Sequence, residues 1–588
     1  MFSNIIAGAA GFPVADLGDT VSQSLRFRGA DFFTRNFSSA FQDNVTISFW
    51  FKIVSGGSLA SNNDIRGAFY RSSNVNSLYY QWDGSTSGII QNAASTAVST
   101  DPAVFRDPNA WYHLVYRFND TANTHNLWIN GAQLIDNVVL DNPFATGDFT
   151  IGTIPGQTGG QWTFKGYMAD WYLIDGQALD PTDFGRYQED GVWVPKNYTG
   201  TYGSNGFHLD FADSSDLGND VSGNNNDFTT TGFDTGDVAL YSPGLSANAG
   251  GTMNSLANAF DGSTGTAAYV SPTGIGMTFS PANDIAFTSL EIRPSNNNMS
   301  ATFDGTTTNT PTGQYTQVAT NGTINSTTPL VINVGAGLNC NLNAIRINGS
   351  TVLTDNTDND VNLLDTPTSN YQTFNPLYPV NSSGPQRFSD ANLGVDISSA
   401  HPSGYNRFFF STLKMPSYGK WYFEHTRPLT VDSAEPALQY PFVGFTTLQD
   451  TSAAESTNTW YNNISMAGGS GYGYRHGTTT NAVYGPTQGS QVWPIGAVIG
   501  CSYDADTGDV RFYNEGTDMG LFDTLPANTD FYLSMIQIYT HGPAKFNFGQ
   551  MPFVYTPPTG FEALHLNQLE EPTIKNGSDH FQAITDTG

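Results

Sequence analysis

The chain is 588 residues long and carries 22 basic against 52 acidic residues, a formal net charge of −30. This balance argues against binding nucleic acid by phosphate neutralisation, and the length predicts roughly three or four domains. Apolar residues make up 38% and aromatic residues 13% of the chain, which excludes a disordered polar tract. The many aromatic, threonine, glycine and asparagine residues favour an all-β fold.

Residues 1–19 are rich in glycine and alanine. They are expected to form an N-terminal arm, which either docks into a larger assembly or only leads into the first strand.

The stretch from Trp111 to Gly131 predicts two strands joined by a polar turn. Its first strand alternates, with the more apolar set on one side, so that side is expected to face a core. This core-facing set is Tyr112, Leu114, Tyr116 and Phe118. Asn130-Gly131 then predicts a tight hairpin turn, because both residues tolerate positive φ.

The same stretch resembles the laminin-G-like, concanavalin-A-like jelly roll. Other blocks that fit strands of that fold are Ser24–Phe27, Phe32–Phe33, Val45–Lys52, Phe149–Gly152 and Gly166–Gly176. The resemblance covers residues 20–235 and implies a jelly roll, although one fold serves many functions.

The segment Gly206–Phe228 resembles one that follows a laminin-G-like domain in virion proteins of marine tailed bacteriophages. It predicts a short strand and then an acidic, asparagine-rich turn region. Its carboxylates are candidate calcium ligands, with side chains that bond their own backbone as the alternative. These candidates are Asp210, Asp213, Asp216 and Asp220.

Residues 236–248 are predicted to be a linker and residues 249–362 a second, smaller β-sandwich. Ala259–Gly265 is similar to the opening of discoidin-type, galactose-binding-like sandwiches, which leaves carbohydrate binding open for this domain. Its expected strands are Ile275–Phe279, Ser289–Arg293 and Ala344–Gly349. Residues 363–375 are predicted to be another linker.

Residues 376–560 resemble a SPRY domain, a bent β-sandwich whose loops bind a partner. The blocks that carry this resemblance are Gly419–His425, Phe442–Phe445, Ile499–Gly516 and Ala544–Gly549. Residues 561–588 form a C-terminal tail, in which Phe561–Leu569 is a candidate for a short amphipathic helix. The end of the tail is expected either to pair with another subunit or to mark a short version of the protein.

Chemistry-bearing motifs are missing from the sequence. No strand carries glutamates and aspartates at the spacing a retaining glycosidase needs, and there is no Gly-x-Ser-x-Gly elbow. His113 and His425 lie in strand sequence and are expected to be structural. Cys340 and Cys501 predict neither a disulfide framework nor a metal site. We therefore expect no enzymatic activity and no certain cofactor, calcium being the one candidate.

Candidate ligand-binding residues lie in two aromatic stretches of the third domain, and glycines bracket the aromatics of the second, Gly471–His476. Aromatic rings there could stack on sugars, with packing in the sheet or core as the alternative. They are Trp460, Tyr461, Tyr472, Tyr474, Arg475 and His476.

Together these features predict tandem β-sandwiches in a virion protein, at the tail or particle surface. The expected role is that of a tail-fibre or tail-associated adhesin, which binds host-surface glycans or a receptor and contacts other virion proteins. A homo-oligomer is expected, a trimer if the protein is a fibre. The alternatives are a capsid-decorating or tail-connecting structural protein and, third, a surface-polysaccharide depolymerase. No membrane span is expected.

Overall fold

A computed structural model shows three successive β-sandwiches, which confirms the all-β prediction. The structure describes residues 19–28, 31–53, 65–72, 76–82, 87–91, 96–97, 107, 109–139, 144, 146–154, 163–188, 191–214, 216–233, 238–239, 244–254, 259–260, 265, 267–281, 285–348, 350–353, 362–376, 387–389, 392–397, 407–426, 442–446, 463–467, 473–475, 482–484, 498–525, 531–537 and 541–566.

The first sandwich has two large antiparallel sheets. Its strands are β1 (Ser24–Arg28), β2 (Phe32–Phe37), β3 (Asn44–Ile53), β4 (Ile65–Ser72), β5 (Asn76–Trp82), β6 (Ser87–Gln91), β7 (Thr96–Ala97), β8 (Tyr112–Asn119), β9 (Thr124–Ile129), β10 (Ala132–Val139), β11 (Gly147–Ile151), β12 (Lys165–Asp175), β13 (Gly185–Tyr187), β14 (Trp193–Pro195), β15 (Phe207–Leu209) and β16 (Thr229–Thr231). One sheet runs β10-β9-β8-β3-β12-β1, with β15 also paired to β12, and the other runs β16-β2-β11-β4-β5-β6-β7. A 3₁₀ helix, Pro181–Asp183, precedes the β13–β14 hairpin.

The predicted hairpins of this sandwich are confirmed. β8 pairs with β9, and β9 with β10, around Asn130 and Gly131 at φ of 48° and 74°. The core between the sheets takes the predicted face of β8, together with Phe49, Phe149 and Trp171. The opposite face of β8 is buried as well, because residues on it such as His113 and Val115 are covered by the chain after β12.

The middle sandwich has its own core, which contains Phe260, Phe279 and Ile345. Its strands are β17 (Val238–Ala239), β18 (Leu245–Ala247), β19 (Thr252–Asn254), β20 (Ala268–Ser271), β21 (Met277–Phe279), β22 (Ile285–Phe287), β23 (Leu290–Pro294), β24 (Met299–Phe303), β25 (Thr306–Thr310), β26 (Thr316–Ala319), β27 (Gly322–Ile324), β28 (Leu330–Val334), β29 (Cys340–Ile347) and β30 (Ser350–Leu353). One sheet runs β17-β30-β29-β20-β19, with β23 on β29 and β26 on β23, and a second runs β18-β21-β28-β24-β25. β22 and β27 form a separate pair, and β17 and β30 are parallel.

Residues 362–374, which we call the junction segment, follow the middle sandwich and return to the first. Strand β31 (Asn362–Leu363) pairs with β1 and so extends the first sheet. The sequence predicted a linker at residues 363–375. In the structure its polar residues are buried against the first and third sandwiches. The buried polar residues are Asp365, Thr366, Thr368, Asn370, Gln372 and Thr373.

The junction segment bonds to both neighbours. On one side Lys52 Nζ donates to Asp365 Oδ2 and to Asn370 Oδ1, each at 2.8 Å. On the other side the Leu364 amide donates to the Gln550 carbonyl at 2.8 Å, and Gln550 Nε2 donates to the Gln372 carbonyl at 2.6 Å. The first and third sandwiches are therefore joined through this segment, and the middle sandwich lies between them in the sequence.

The third sandwich also consists of two antiparallel sheets. Its strands are β32 (Arg387–Ser389), β33 (Gly394–Ile397), β34 (Arg407–Lys414), β35 (Lys420–Thr426), β36 (Phe442–Thr446), β37 (Asn463–Ala467), β38 (Gly473–Arg475), β39 (Ala482–Tyr484), β40 (Val498–Asp504), β41 (Asp509–Asn514), β42 (Thr517–Thr524), β43 (Tyr532–Gln537) and β44 (His541–Asn547). The sheets run β32-β33-β44-β35-β40-β41-β42 and β34-β43-β36-β37-β38-β39. The predicted β40–β41 hairpin is confirmed, and Cys501 is buried in it.

The start of the predicted C-terminal helix is extended instead. Within the described residues of this stretch, Glu562 forms a parallel bridge with Trp421, and His565 forms an antiparallel bridge with Tyr371. The helix prediction is therefore wrong for residues 561–565. The physical reason is that Lys420 and Tyr422 offer backbone partners and that Leu564 packs into the core of the third sandwich.

Candidate functional site

A group of aromatic and ionisable side chains lies beside a bulge in β12. We call it the tyrosine–histidine cluster, and it consists of Asp170, Tyr172, Tyr198, Tyr202 and His208. Strands β12 and β15 pair so that Tyr172 is opposite His208. The register of β12 against β3 shifts between Ala169 and Tyr172, and Asp170 in this bulge has φ of 51°. Such bulges redirect side chains, and here the bulge brings the carboxylate to His208.

The cluster is closely packed but partly open to solvent. His208 Nε2 lies 2.7 Å from Asp170 Oδ1, and the two side chains are 16% and 8% exposed. The Tyr172 ring stacks on the His208 ring with centroids 4.0 Å apart and planes at 15°. Tyr202 is nearly parallel to His208, at 6.4 Å and 9°. Tyr198, Tyr202 and His208 are therefore partly exposed, whereas Tyr172 and Asp170 are buried.

The tyrosine hydroxyls of the cluster stay protonated at neutral pH. Burial, and then the carboxylate of Asp170, raise the pKa of Tyr202 to about 12. Burial also raises the pKa of Tyr172 and Tyr198. Tyr198 is positioned by Gln177, whose Nε2 donates to the Tyr198 hydroxyl at 3.2 Å and to the Thr201 carbonyl at 2.6 Å. The cluster thus offers aromatic faces and neutral hydroxyls beside a carboxylate and an imidazole, a combination suited to polyhydroxylated ligands.

The four predicted calcium ligands do not come together as a ligand set. Asp220 is 6% exposed, and its carboxylate accepts hydrogen bonds from the amides of His208, Ser222 and Asn226. Asp210 accepts a hydrogen bond from the Ala212 amide. Asp213 and Asp216 lie in successive backbone turns. Across the described parts of the chain, no group of three or more acidic, histidine or cysteine side chains could hold a metal ion. Asp210 and Asp220 thus have the geometry of the alternative, side chains that bond nearby backbone.

Asp220→Ala should destabilise the first sandwich by about 2 kcal/mol, because buried amides would lose their acceptor. The expected loss is the same in EDTA and in millimolar calcium, measured by hydrogen–deuterium exchange of peptides from the first sandwich. A loss that appears only when calcium is present would contradict the structural role and restore the calcium hypothesis.

The predicted ligand-binding aromatics of the third domain are not tested by the structure. Trp460, Tyr461, Tyr472 and His476 lie outside the described residues. Tyr474 and Arg475 belong to β38, which pairs with β37 and β39. These residues remain predictions.

A serine and a histidine also meet inside the first sandwich, but their arrangement is structural. Ser48 Oγ lies 2.8 Å from His113 Nε2, and Trp193 Nε1 donates to His113 Nδ1 at 3.0 Å. Because an indole N–H only donates, Nδ1 is the acceptor and Nε2 carries the proton. His113 therefore donates to Ser48 and cannot take its proton. Burial lowers the pKa of His113 to about 3.

Two glutamates of the third sandwich bind a segment that crosses its sheet. We call residues 551–562 the C-terminal strap. Glu424 is 2% exposed and accepts hydrogen bonds from the amides of Val554 and Tyr555 at 2.8 and 2.9 Å. Glu515 accepts a hydrogen bond from the Tyr555 hydroxyl at 2.5 Å. Burial raises the pKa of Glu424 to about 7. Both carboxylates are thus engaged in holding the strap.

These observations define an all-β protein of tandem antiparallel sandwiches, and in its described residues no helix has the length and apolarity to span a membrane. Residues 29–183 match the family described as the Concanavalin A-like lectin/glucanases superfamily. Residues 420–551 match the SPRY domain family. The chain therefore contains a concanavalin-A-like domain and a SPRY domain, as the sequence predicted. The middle sandwich lies between the matched ranges, and its galactose-binding-like character stays a prediction.

Solved structures resemble parts of the chain at low identity. The SPRY domain of human HERC1 is 14% identical over 27% of this chain and 91% of its own, with a TM-score of 0.21. A candidate carbohydrate binding protein from Bacteroides ovatus is 14% identical over 36% of this chain and 58% of its own, with a TM-score of 0.23. A SAP-like pentraxin from Limulus polyphemus is 15% identical over 28% and 80%, with a TM-score of 0.17. Likenesses this distant do not bear on function.

Sequence reasoning did not find the tyrosine–histidine cluster. Its members come from β12, the loop between β14 and β15, and β15, so no short motif contains them. One signal was available, since Tyr198 and Tyr202 stand in a glycine-rich stretch just before His208. The partner Asp170 becomes visible only through the bulge in β12.

Proposed function

We propose that this protein is a non-enzymatic attachment protein of a bacteriophage virion, a tail-fibre or tail-associated adhesin that binds host-surface glycans or a receptor. The observation that carries the glycan part is the tyrosine–histidine cluster, which lies in the first sandwich, partly within the residues that match the Concanavalin A-like family. The partly exposed rings of Tyr198 and Tyr202 can stack on the C–H face of a sugar, while His208, which Asp170 orients, can bond sugar hydroxyls.

Binding is favoured over catalysis by the way the candidate catalytic groups are used. Trp193 fixes His113 as a donor to Ser48. Glu424 and Glu515 are both bonded to the backbone, Glu515 through the Val498 amide at 3.0 Å. A depolymerase would instead need a pair of carboxylates facing a groove that holds the sugar chain.

The virion part of the proposal rests on the resemblance of Gly206–Phe228 to a segment of marine phage virion proteins. Shallow sugar sites bind weakly, and several copies on one particle would raise the overall avidity. We therefore include a homo-oligomer, a trimer if the protein is a fibre, at the particle surface and in contact with other virion proteins.

A second candidate function is a capsid-decorating or tail-connecting role without receptor binding. It is favoured by the junction segment, which is bonded to the first sandwich through the buried Lys52–Asp365 ion pair and to the third sandwich through Gln550. A connector needs such fixed geometry, and an adhesin can use it as well.

The test is retention of host-surface polysaccharide on the immobilised full chain, with polymer size followed over hours. Tyr202→Ala and His208→Ala should each weaken retention about tenfold, since a lost stacking or hydrogen-bonding contact of ~1.4 kcal/mol corresponds to that factor. Tyr187→Ala, which removes a 47%-exposed tyrosine of the same sandwich outside the cluster, should leave retention unchanged.

Each outcome separates the candidate functions. Retention at constant polymer size supports the adhesin, and a falling polymer size indicates the depolymerase. Failure of the wild type to retain any polysaccharide would favour the connecting role. Equal retention by the Tyr202 and His208 variants and the wild type would remove the tyrosine–histidine cluster from the proposal.

A further inference from the structure

Two arginines and a tyrosine meet on the outer side of the middle sandwich; we call them the arginine–tyrosine cluster. Strand β23 alternates between buried and half-buried residues, and Arg293 belongs to its half-buried side. Its neighbour β29 carries Arg346, opposite Glu291 in the register. Tyr315 directly precedes β26, which pairs with the other edge of β23. Strand pairing thus brings together residues that are distant in the sequence.

Both guanidinium groups lie near one aromatic ring. Arg346 Cζ is 3.5 Å from the centroid of the Tyr315 ring, and Arg293 Cζ is 6.0 Å from it. The first distance is that of a stacked cation, which Arg favours because its charge is planar and weakly hydrated. Arg293 is also oriented by the buried Asn343, whose Oδ1 accepts a hydrogen bond from Nη1 at 3.2 Å. The positions of the two cations are therefore fixed by packing.

The guanidinium group of Arg346 is not held by an ion pair. Among the described residues its side chain has no hydrogen-bond or ion-pair partner, and its Nε is buried without one. The Glu291 carboxylate, although opposite Arg346 in the register, forms no ion pair with it in this described region. This is unexpected in a chain with 52 acidic and 22 basic residues. A stacked guanidinium with unused donors is suited to an oxyanion, which can accept two parallel hydrogen bonds.

We propose that the arginine–tyrosine cluster binds the carboxylate or sulfate group of an acidic polysaccharide. The choice of a polysaccharide rests on the proposed function, whereas the anionic group follows from the cluster itself. Glu291 repels an anion at this site, which makes binding selective. Binding also weakens with rising salt, because salt screens the charge of the arginines. In this proposal the middle sandwich binds the charged groups of the glycan, and the tyrosine–histidine cluster binds its hydroxyls.

The test uses immobilised full chain and three oligosaccharides of equal length: an oligogalacturonate, a sulfated galactan and a neutral galactan. Arg346→Gln should weaken binding of the acidic probes about tenfold, because one charge-assisted contact of ~1.4 kcal/mol is lost. Binding of the neutral probe should not change. Glu291→Gln should strengthen binding of the acidic probes. Arg511→Gln, which removes an equal charge from an exposed ion pair with Asp518, is the matched control and should have no effect.

The two acidic probes distinguish carboxylate from sulfate as the natural group. If Arg346→Gln and Arg511→Gln weaken binding equally, the effect is general charge and the inference fails. If the wild type retains only the neutral probe, the inference also fails while the proposed function stands. If it retains none of the probes and no host polysaccharide, both fail. Arg346→Lys keeps the charge but not the planar fork, and intermediate binding by that variant would support paired hydrogen bonds.

Discussion

Lys52→Met should lower the free energy that keeps the junction segment bound between the first and third sandwiches by about 3–5 kcal/mol. This is the cost of removing one partner of a buried ion pair. The Lys52 and Asp365 side chains are both 0% exposed, and their N–O distance is 2.8 Å. Burial lowers the pKa of Lys52, and the neighbouring Asp365 opposes this shift. Methionine keeps the volume but leaves the Asp365 carboxylate buried, with Trp111 Nε1 as a remaining donor at 3.0 Å.

The measurement is hydrogen–deuterium exchange of peptides that cover the junction segment, because a chain with several domains does not unfold in one step. Arg511→Met is the matched control. Its ion pair with Asp518 is 38% and 46% exposed, so the expected loss is below about 1 kcal/mol. The double variant Lys52→Met, Asp365→Leu should recover most of the protection, since an apolar pair of similar volume avoids the buried charge. Unchanged exchange in Lys52→Met would mean that the joint does not depend on this pair.

The junction segment shows what the sequence could not predict. Its composition is that of a linker, since polar residues such as threonine and asparagine predominate in it. The partners that make burial of these groups favourable lie far away in the sequence. Thr368, for example, bonds to Val21, 347 residues earlier. A polar segment is expected to be exposed to solvent only when its side chains lack hydrogen-bonding partners inside the protein. The local sequence does not show whether distant residues supply such partners.

By contrast, strand alternation predicted the hairpins and their inner faces well. The β8–β9 hairpin and the core-facing set of β8 follow from a period of two and from turn residues, both of which are local. The second buried face of β8 does not follow from the same pattern. Trp111 and His113 are covered by Leu363 and Trp193, from the junction segment and β14.

The candidate sites were harder to predict than the strands, for the same reason. Asp170 and His208 are 38 residues apart, and Arg346 meets Tyr315 across a sheet. Each cluster forms through strand register and, for Asp170, through a bulge. A one-residue slip in register would place these side chains on the opposite face. A site whose residues come from several strands can be recognised only once the pairing of those strands is known.

The C-terminal strap should be bound more tightly at pH 5 than at pH 8, because Glu424 holds a proton in the folded protein that it loses more readily when unfolded. Burial raises the pKa of Glu424 from an ordinary value of 4.5 to about 7. A carboxyl group with a raised pKa stabilises the folded state most below its unfolded pKa, and this stability is lost as pH rises through the folded pKa. The window is therefore pH 4.5 to about 7. The expected loss is about 3 kcal/mol, at ~1.4 kcal/mol per pKa unit.

Glu424→Gln should abolish this pH dependence, because an amide does not titrate but can still accept a hydrogen bond from the strap. The readout is the exchange of peptides from residues 551–562 at several pH values, corrected for the intrinsic rate of amide exchange. Peptides from β28 (Leu330–Val334), which contains no titratable side chain, are the internal control and should show no slope in this window. If the variant keeps the wild-type slope, another group controls the strap, and Glu515, bonded to Tyr555, is the one to replace next.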